Sequence, residues 1–502
     1  MSVATDEPNA PPDQRAVPGS RRWLALAVIG ASQLLIVLDA TIVNIALPTA
    51  QADLHISDAD RQWMITAYTL AFGGLLLLGG RIADYTGRKR AFIIGLLGFA
   101  AASALGGLAQ NAVMLFSARA LQGAFGALMA PAALSLLTVT FTEAKERARA
   151  FGVYGAIAGG GGAIGLLLGG VLTEYASWRW TLLISTPVAL IAAVAAVRFV
   201  GESRAEGNTR YDLPGAVTST GGLVALVYGF TKAASDGWDA PLTIGLLVAA
   251  VALLVAFVVI ETRTSHPLLP MRVILDRNRG GAFLSALLIG VGLFGVFLFL
   301  TFYLQETLGY SALMTGVAFL PFTVGIVGGA GVSAVLQTRL GPRVLMFTGL
   351  LLAAVGAVLL TRIGVDTSFW THVFPGELVM SFGIGMTFGP MSNTALVGVA
   401  NHDAGVASAL INTTQQIGGS LGTALLNTIF TSAVAGYITA HQGSLTSPSQ
   451  LPALQAVATV HSYTVAFWVS AGLIALAAVT ALVLVQASRD EVANSDAVPI
   501  AA

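Results

Sequence analysis

The 502-residue chain contains no cysteine. Disulfides, zinc–thiolate sites, iron–sulfur clusters and cysteine nucleophiles are excluded together. Charge is almost as scarce, with Asp, Glu, Lys and Arg at 10% of residues against about 25% in soluble domains. The 25 basic and 25 acidic residues cancel, so no net positive field draws nucleic acid. No Gly-x4-Gly-Lys-Ser/Thr phosphate loop occurs, which leaves ATP-driven work unsupported and points to an ion gradient as energy source. No clustered His/Asp/Glu set suggests a membrane enzyme, and no cofactor is called for. Two glycine patterns imitate soluble enzymes, Gly160-x-Gly162-x-x-Gly165 and Gly418-Gly419-Ser420-Leu421-Gly422. Both lie inside apolar runs with no preceding strand on which either site could be built.

What the chain has is hydrophobic surface, 55% of its residues, and 57 glycines, most of them inside apolar stretches. Small residues there let helices approach closely in lipid. A spanning helix needs about 20 apolar residues. Such stretches fall at 23–46, 60–80, 91–110, 113–137, 149–173, 179–199, 213–231, 241–260, 281–304, 312–336, 343–362, 372–398, 405–430 and 463–486, which makes fourteen. With both termini inside, 20 of the 25 Lys and Arg face the cytoplasm; Arg61, Arg179, Lys232 and Arg362 lie outside, and Arg119 lies within a span. The opposite orientation inverts that ratio, so both ends are cytoplasmic. The first run follows Arg21 and Arg22 but is long and polar at Asp39 and Asn44, so it reads as an uncleaved span rather than a signal.

Residues 1–20, rich in proline, read as a disordered cytoplasmic tail, and residues 488–502 as a second cytoplasmic tail. Between them the expected plan is a six-helix bundle over 21–200, two inserted helices with their loops over 201–279, and a second six-helix bundle over 280–487. The segment Gln337-Thr338-Arg339-Leu340-Gly341-Pro342-Arg343 echoes the earlier loop at 80–90 at the position where a duplicated bundle should repeat it.

That earlier loop is Gly80-Arg81-Ile82-Ala83-Asp84-Tyr85-Thr86-Gly87-Arg88-Lys89-Arg90. Its four basic residues suit any cytoplasmic loop, but basicity alone requires neither Gly80 nor Asp84 nor Gly87. The pattern Gly-x-x-x-Asp-x-x-Gly-Arg-basic-basic resembles the signature of the major facilitator superfamily of secondary transporters. Span one carries Leu38-Asp39-Ala40-Thr41-Ile42-Val43-Asn44-Ile45-Ala46-Leu47-Pro48 and span four carries Ala118-Arg119-Ala120-Leu121-Gln122-Gly123. These resemble the fourteen-helix drug:proton antiporters of that superfamily. Span five holds Gly161, Gly165, Gly169 and Gly170, similar to the antiporter motif that marks exporters, with Leu166 where a proline is usual. Trp178-Arg179-Trp180 followed by Pro187 also resembles that family, with Ser185 and Thr186 where it usually has asparagine.

The resemblance implies an all-α membrane protein that exports an amphipathic or cationic small molecule in exchange for protons, in the bacterial cytoplasmic membrane and as a monomer. Asp39 lies about 24 Å from the cytoplasmic edge and Arg119 roughly 21 Å, by 1.5 Å of rise per residue in a ~30 Å core. Similar depth permits contact. Burial disfavours a carboxylate and a guanidinium favours it, a balance that suits proton exchange at Asp39; a static Asp39–Arg119 pair is the plain alternative. Glu306 and Glu377, toward the outer ends of spans nine and twelve, are further proton or counter-charge candidates. Gly80, Asp84, Gly87, Arg88 and Lys89 are expected to bias the gate, with Asp84 against the start of span thirteen near Asp403–Gly405, where a helix dipole favours a carboxylate. Gln33, Asn44, Tyr68, Gln122, Phe294, Asn393, Asn412 and Gln416 are candidate cavity residues. Dedicated export of one endogenous product, or import, stays open on the same fold; a channel, receptor or scaffold does not require the gate loop together with buried Asp39 and Arg119.

Overall fold

A computed structural model describes residues 19–141, 143–204, 212–265, 267–337, 339–399, 404–444 and 448–488. Among these there is no β-strand. The helices are α1 (Gly19–Asp53), α2 (Trp63–Thr86), α3 (Arg88–Gly107), α4 (Ala112–Thr140), α5 (Ala144–Tyr175), α6 (Trp180–Leu183), α7 (Ser185–Phe199), α8 (Leu213–Asp236), α9 (Pro241–Arg263), α10 (Met271–Ile274), α11 (Arg277–Phe302), α12 (Ala312–Ala318), α13 (Leu320–Leu336), α14 (Pro342–Leu360), α15 (Phe374–Leu396), α16 (Ala404–His441) and α17 (Leu451–Leu484). Hydrocarbon supplies no partners for backbone N–H and C=O, so spanning segments close their hydrogen bonds within themselves. Proline sits in the first turn of α8, α9, α13, α14, α15 and α17, where no intrahelical N–H bond is lost. Asn111, Asp212, Asp276 and Ser311 cap the starts of α4, α8, α11 and α12 with their side chains.

The pairs α6–α7 and α12–α13 each make one broken crossing and α10 is a short connector, so fourteen crossings result, as the sequence predicts. Length and apolarity alone pick out 13 of them. The remaining one is α15, whose sequence is diluted by Gly, Ser and Thr and by Glu377.

The last two helices depart from expectation. The apolar runs end span thirteen at 430 and start span fourteen at 463, yet α16 continues to His441 and α17 begins at Leu451. Hydropathy reports depth in lipid, not the end of a helix. Beyond the membrane the two helices stay paired through the rings of Tyr437, His441 and His461, with centroids 4.1 and 4.8 Å from Tyr437. The first helix likewise starts at Gly19, two residues inside the expected tail; residues 1–18 and 489–502 of the expected tails lie outside the described residues.

In the first bundle α4 packs against α2 and α3, α1 against α5, and α3 against α7. In the second α15 packs against α13 and α14, and α11 against α16 and α17. The inserted α8 and α9 pair with each other; α8 leans on α2 and α16, while α9 is largely exposed. One hydrophobic core fills the cytoplasmic part of the first bundle. A larger one joins the second bundle to the outer ends of α1, α2 and α5. The halves are therefore fused on the outer side.

The glycines of α5 divide between two partners. A Cβ at Gly161, Gly165 or Gly169 would run into Val37, Thr41 or Ile42 of α1, and one at Gly170 into Leu313 of α12. Leu166 is buried, and its carbonyl faces Gly316 of α12. By contrast a Cβ at Gly162 meets open space. Gly165→Leu is expected to lower stability by about 1–3 kcal/mol through overpacking, whereas Gly162→Leu should leave it unchanged. Thermal unfolding of the two purified proteins in detergent checks this; equal midpoints would refute the packing assignment.

Candidate functional site

Asp39 of α1 is fully buried, and its Oδ2 accepts a 2.6 Å bond from Arg119 Nη1 of α4. Gln122 Nε2 donates to the other carboxylate oxygen at 3.0 Å and to Ser103 Oγ at 2.9 Å. Arg119 also donates from Nη1 to Gln122 Oε1 at 2.9 Å and from Nε to the Met64 carbonyl at 2.9 Å. Its guanidinium lies 4.6 Å from the centre of the Tyr68 ring. The sequence supplies this cluster by helical spacing: Arg119 and Gln122 are one turn apart on the same face of α4. The depth match inferred from the sequence is thus a direct contact, and Gln122 and Tyr68, expected in the cavity, form the shell of the pair instead.

A cavity of about 570 Å³ lies beside the pair and reaches the cytoplasmic side. Of the expected lining residues Gln33, Asn412 and Gln416 line it, together with Ala40 and Thr41 of α1 and Phe72 of α2. Phe72 stacks on Tyr68 with centroids 5.7 Å apart, so a wall of two rings separates the cavity from Arg119. Asn44, Phe294 and Asn393 lie elsewhere. Asn44 turns its amide back to the Ala40 carbonyl at 2.8 Å, Phe294 packs over Gly419 of α16, and Asn393 sits half-buried on α15. A hydrogen-bonding side chain in a helix has these local outlets, which composition cannot anticipate. Residues not singled out from the sequence also face the cavity: Arg81, Ser135 and Tyr154, the last donating to Gln33 Oε1 at 2.6 Å.

The segment 80–90, expected as a loop, is helical on both sides of Gly87: Gly80 and Asp84 lie in the last turns of α2 and line the cavity mouth, and Arg88 and Lys89 start α3. Asp84 pairs with Arg88 at 2.9 Å. Between α2 and α3 the chain turns at Gly87 with φ +113°, a conformation that costs a side-chain-bearing residue dearly. A Cβ there would also meet the Glu202 carboxylate. Glu202 accepts from the Lys89 backbone N–H, and Lys89 Nζ donates to the Val197 carbonyl at 2.8 Å. The turn is thereby tied to the end of α7 in its own bundle. The expected seat of Asp84 near Asp403 falls outside the described residues.

The two further acids differ from each other. Glu377 is fully buried at the start of α15 and faces the Phe322 backbone at the start of α13, with neither carboxyl oxygen in a well-formed hydrogen bond. Glu306 is exposed in a π-helical turn, Tyr303–Thr307, within electrostatic range of Arg61 and Asp58.

Opposite the cavity the outer side is shut by a polar seam between α2 and α16 that the sequence reading missed. Thr66 and Thr423 share a 2.7 Å bond, as do Thr69 and Ser420. Asn427 donates to Gln62 Oε1 at 3.0 Å, and Gln62 donates to Thr231 of α8 at 3.1 Å. The signal was present: Thr66 and Thr69 on one helix and Ser420, Thr423 and Asn427 on the other recur at three- and four-residue spacing.

Twelve crossings in two bundles and an inserted pair, with the cavity open to one side only, form a transporter architecture, and residues 29–423 match the family described as Major Facilitator Superfamily. The chain belongs to that superfamily. It is similar to the puromycin resistance protein pur8 of Streptomyces alboniger, at 52% identity over 95% of this chain and 94% of that one. It is also similar to the cephamycin export protein CmcT of Amycolatopsis lactamdurans, at 39% over 82% and 86% of the two chains. The multidrug efflux pump LfrA of Mycolicibacterium smegmatis is 33% identical over 82% and 81%. Among solved structures, a bacterial homologue of the human lysosomal transporter Spinster, inward-facing and unoccupied, shares the fold with TM-score 0.65 at 15% identity over 95% and 99% of the chains. The protein is a multi-span membrane transporter and not an enzyme.

An ion pair this buried is costly to break from one side, because the surviving charge has no water. Asp39→Ala and Arg119→Ala are each expected to destabilise by about 3–5 kcal/mol. The double variant should lose less than the sum of the two. Melting midpoints of the three purified variants measure the coupling; additive losses would show that the charges do not depend on each other.

Proposed function

We propose that this chain is a proton-coupled antiporter that exports amphipathic, cationic or hydrophobic drugs or antibiotics across the bacterial cytoplasmic membrane by alternating access. The observation that carries the reading is the Asp39–Arg119 pair, sealed behind the Tyr68–Phe72 wall of an inward-open cavity. Relatives named for puromycin resistance, cephamycin export and multidrug efflux support the direction and the class of cargo. The protein works as a monomer, in two bundles over 21–200 and 280–487 with the inserted helices over 201–279 between them, and uses no nucleic acid.

Asp39 carries the proton. While it is ionised, Arg119 and Gln122 hold it, and α1, α2, α3 and α4 are tied together through Met64 of α2 and Ser103 of α3. A proton on Asp39 removes the charge that Arg119 answers and loosens α1. Helix α1 bears Val37, Ala40 and Thr41 of the cavity wall, so the titration reaches the cargo through packing. Glu377, buried without a good hydrogen bond, is the second proton candidate and exposed Glu306 the third. Gly80, Asp84, Gly87, Arg88 and Lys89 bias the cytoplasmic opening. Gly161, Gly165, Gly169 and Gly170 keep α5 close to α1 and α12, a contact that supports export over import.

The names of the puromycin resistance and cephamycin export relatives favour a narrower second reading, in which the chain is dedicated to one antibiotic. Cells expressing the wild-type chain should expel ethidium in a protonophore-sensitive way, and Asp39→Asn, expressed at equal level, should abolish that efflux. Persistence in Asp39→Asn would move the coupling to Glu377 or Glu306. Protection against puromycin without ethidium efflux would establish the narrow reading.

A further inference from the structure

Arg61 precedes α2 at the outer, water-facing end of the first bundle, yet it is only 2% exposed. Its side chain crosses into the second bundle. The guanidinium carbon lies 4.2 Å from the centre of the Phe302 ring, 4.8 Å from Phe430 and 5.7 Å from Phe299. Nε donates to Asn427 Oδ1 at 3.3 Å, and Asp58, itself exposed, is 3.6 Å from Nη1. Tyr463 closes the box from behind, its ring 5.1 Å from Phe430 and 5.9 Å from Phe299. Phe299 and Phe430 also stack on each other at 5.1 Å. A guanidinium at a membrane surface has water within reach of its own rotamers, so burial among rings means that the rings replace its hydration.

All the rings come from α11, α16 and α17, whereas Arg61 comes from the loop before α2. The outer seam between α2 and α16 must part for the cavity to open outward, and that motion withdraws Arg61. The rings remain, with Glu306 of the second bundle nearby to favour positive charge, while Asp58 leaves with Arg61 on the same loop. Aromatic walls with a carboxylate at the rim are a receptor for organic cations. We propose that this box is an exit-side binding site for an organic cation, which Arg61 occupies whenever the cavity faces inward. The protein's own cation and the exported one then use the box in turn, and closure of the outer side displaces cargo outward instead of letting it return. This rests on the export reading above and adds to it a second site, on the outer side of the seam, with Arg61 as its resident occupant.

The absence of native cysteine makes Ser420→Cys, on the closed seam opposite Thr69, a clean reporter for membrane-impermeant maleimide. In the full chain in nanodiscs, Arg61→Ala should raise labelling of that cysteine. It should also tighten tetraphenylphosphonium binding by about tenfold, the order expected when a desolvated cation–π competitor is removed. Adding Phe302→Leu, which keeps apolar bulk and removes the ring, should cancel the gain in affinity and leave the labelling high. No α11 residue lines the inward cavity, so this loss reports on the box. Unchanged labelling in Arg61→Ala would overturn the occupancy by Arg61. A gain in labelling with no gain in affinity, or a gain in affinity that survives Phe302→Leu, would overturn the cation site. None of these readouts requires transport, so a wild type that fails to expel ethidium would count against the export reading and not against the box.

Discussion

Hydrocarbon cannot answer a hydrogen bond, and the internal arrangement of this protein follows from that constraint. Backbone groups are settled inside helices, so what remains to be placed are the few polar side chains that the chain carries at depth. They gather where helices meet. Asp39, Arg119, Gln122 and Ser103 satisfy one another inside the first bundle. Gln62, Thr66, Thr69, Ser420, Thr423 and Asn427 do so between the bundles. The first set holds one half together; the second decides which side of the membrane is closed.

The two sets differ in what can dissolve them. Hydroxyl pairs such as Thr66–Thr423 are neutral, and each contributes little beyond about 1 kcal/mol, so a seam built from them can part in one motion. The charged pair cannot part without a proton or a replacement partner. Proton-coupled rocking of the kind proposed above uses both behaviours: a line of weak bonds at the moving boundary and one strong bond whose existence depends on a proton.

Much of this was legible in the sequence because the strongest signals are physical. Fourteen apolar runs, the bias of Lys and Arg, and the rarity of Asp39 and Arg119 inside such runs each reflect a cost of entering lipid. Gly87 was legible as part of the charged motif, but the loop expected over 80–90 is helix instead: α2 runs to Thr86 and α3 starts at Arg88, so the turn is Gly87 alone at φ +113°. Side-chain direction was not legible. Asn44 turns its amide N–H back to the Ala40 carbonyl of its own helix, and Tyr68 turns toward Arg119 while its neighbour Phe72 faces the cavity. Arg61 read as one more basic residue outside the membrane, since nothing local in the sequence announces that three distant rings surround it.

The inserted hairpin makes the two boundaries between the halves unequal. Helix α8 lies over the line where α2 meets α16, with Thr231 bonded to Gln62, Thr428 of α16 donating to the Phe230 carbonyl, and Thr220 donating to the Gly74 carbonyl. The opposite boundary, α5 against α12 and α13, has no inserted helix over it, and the cytoplasmic half of α5 presents bare glycine at 152, 155, 160 and 162. Among the described residues the two halves are bridged by a third element on one flank and meet directly on the other.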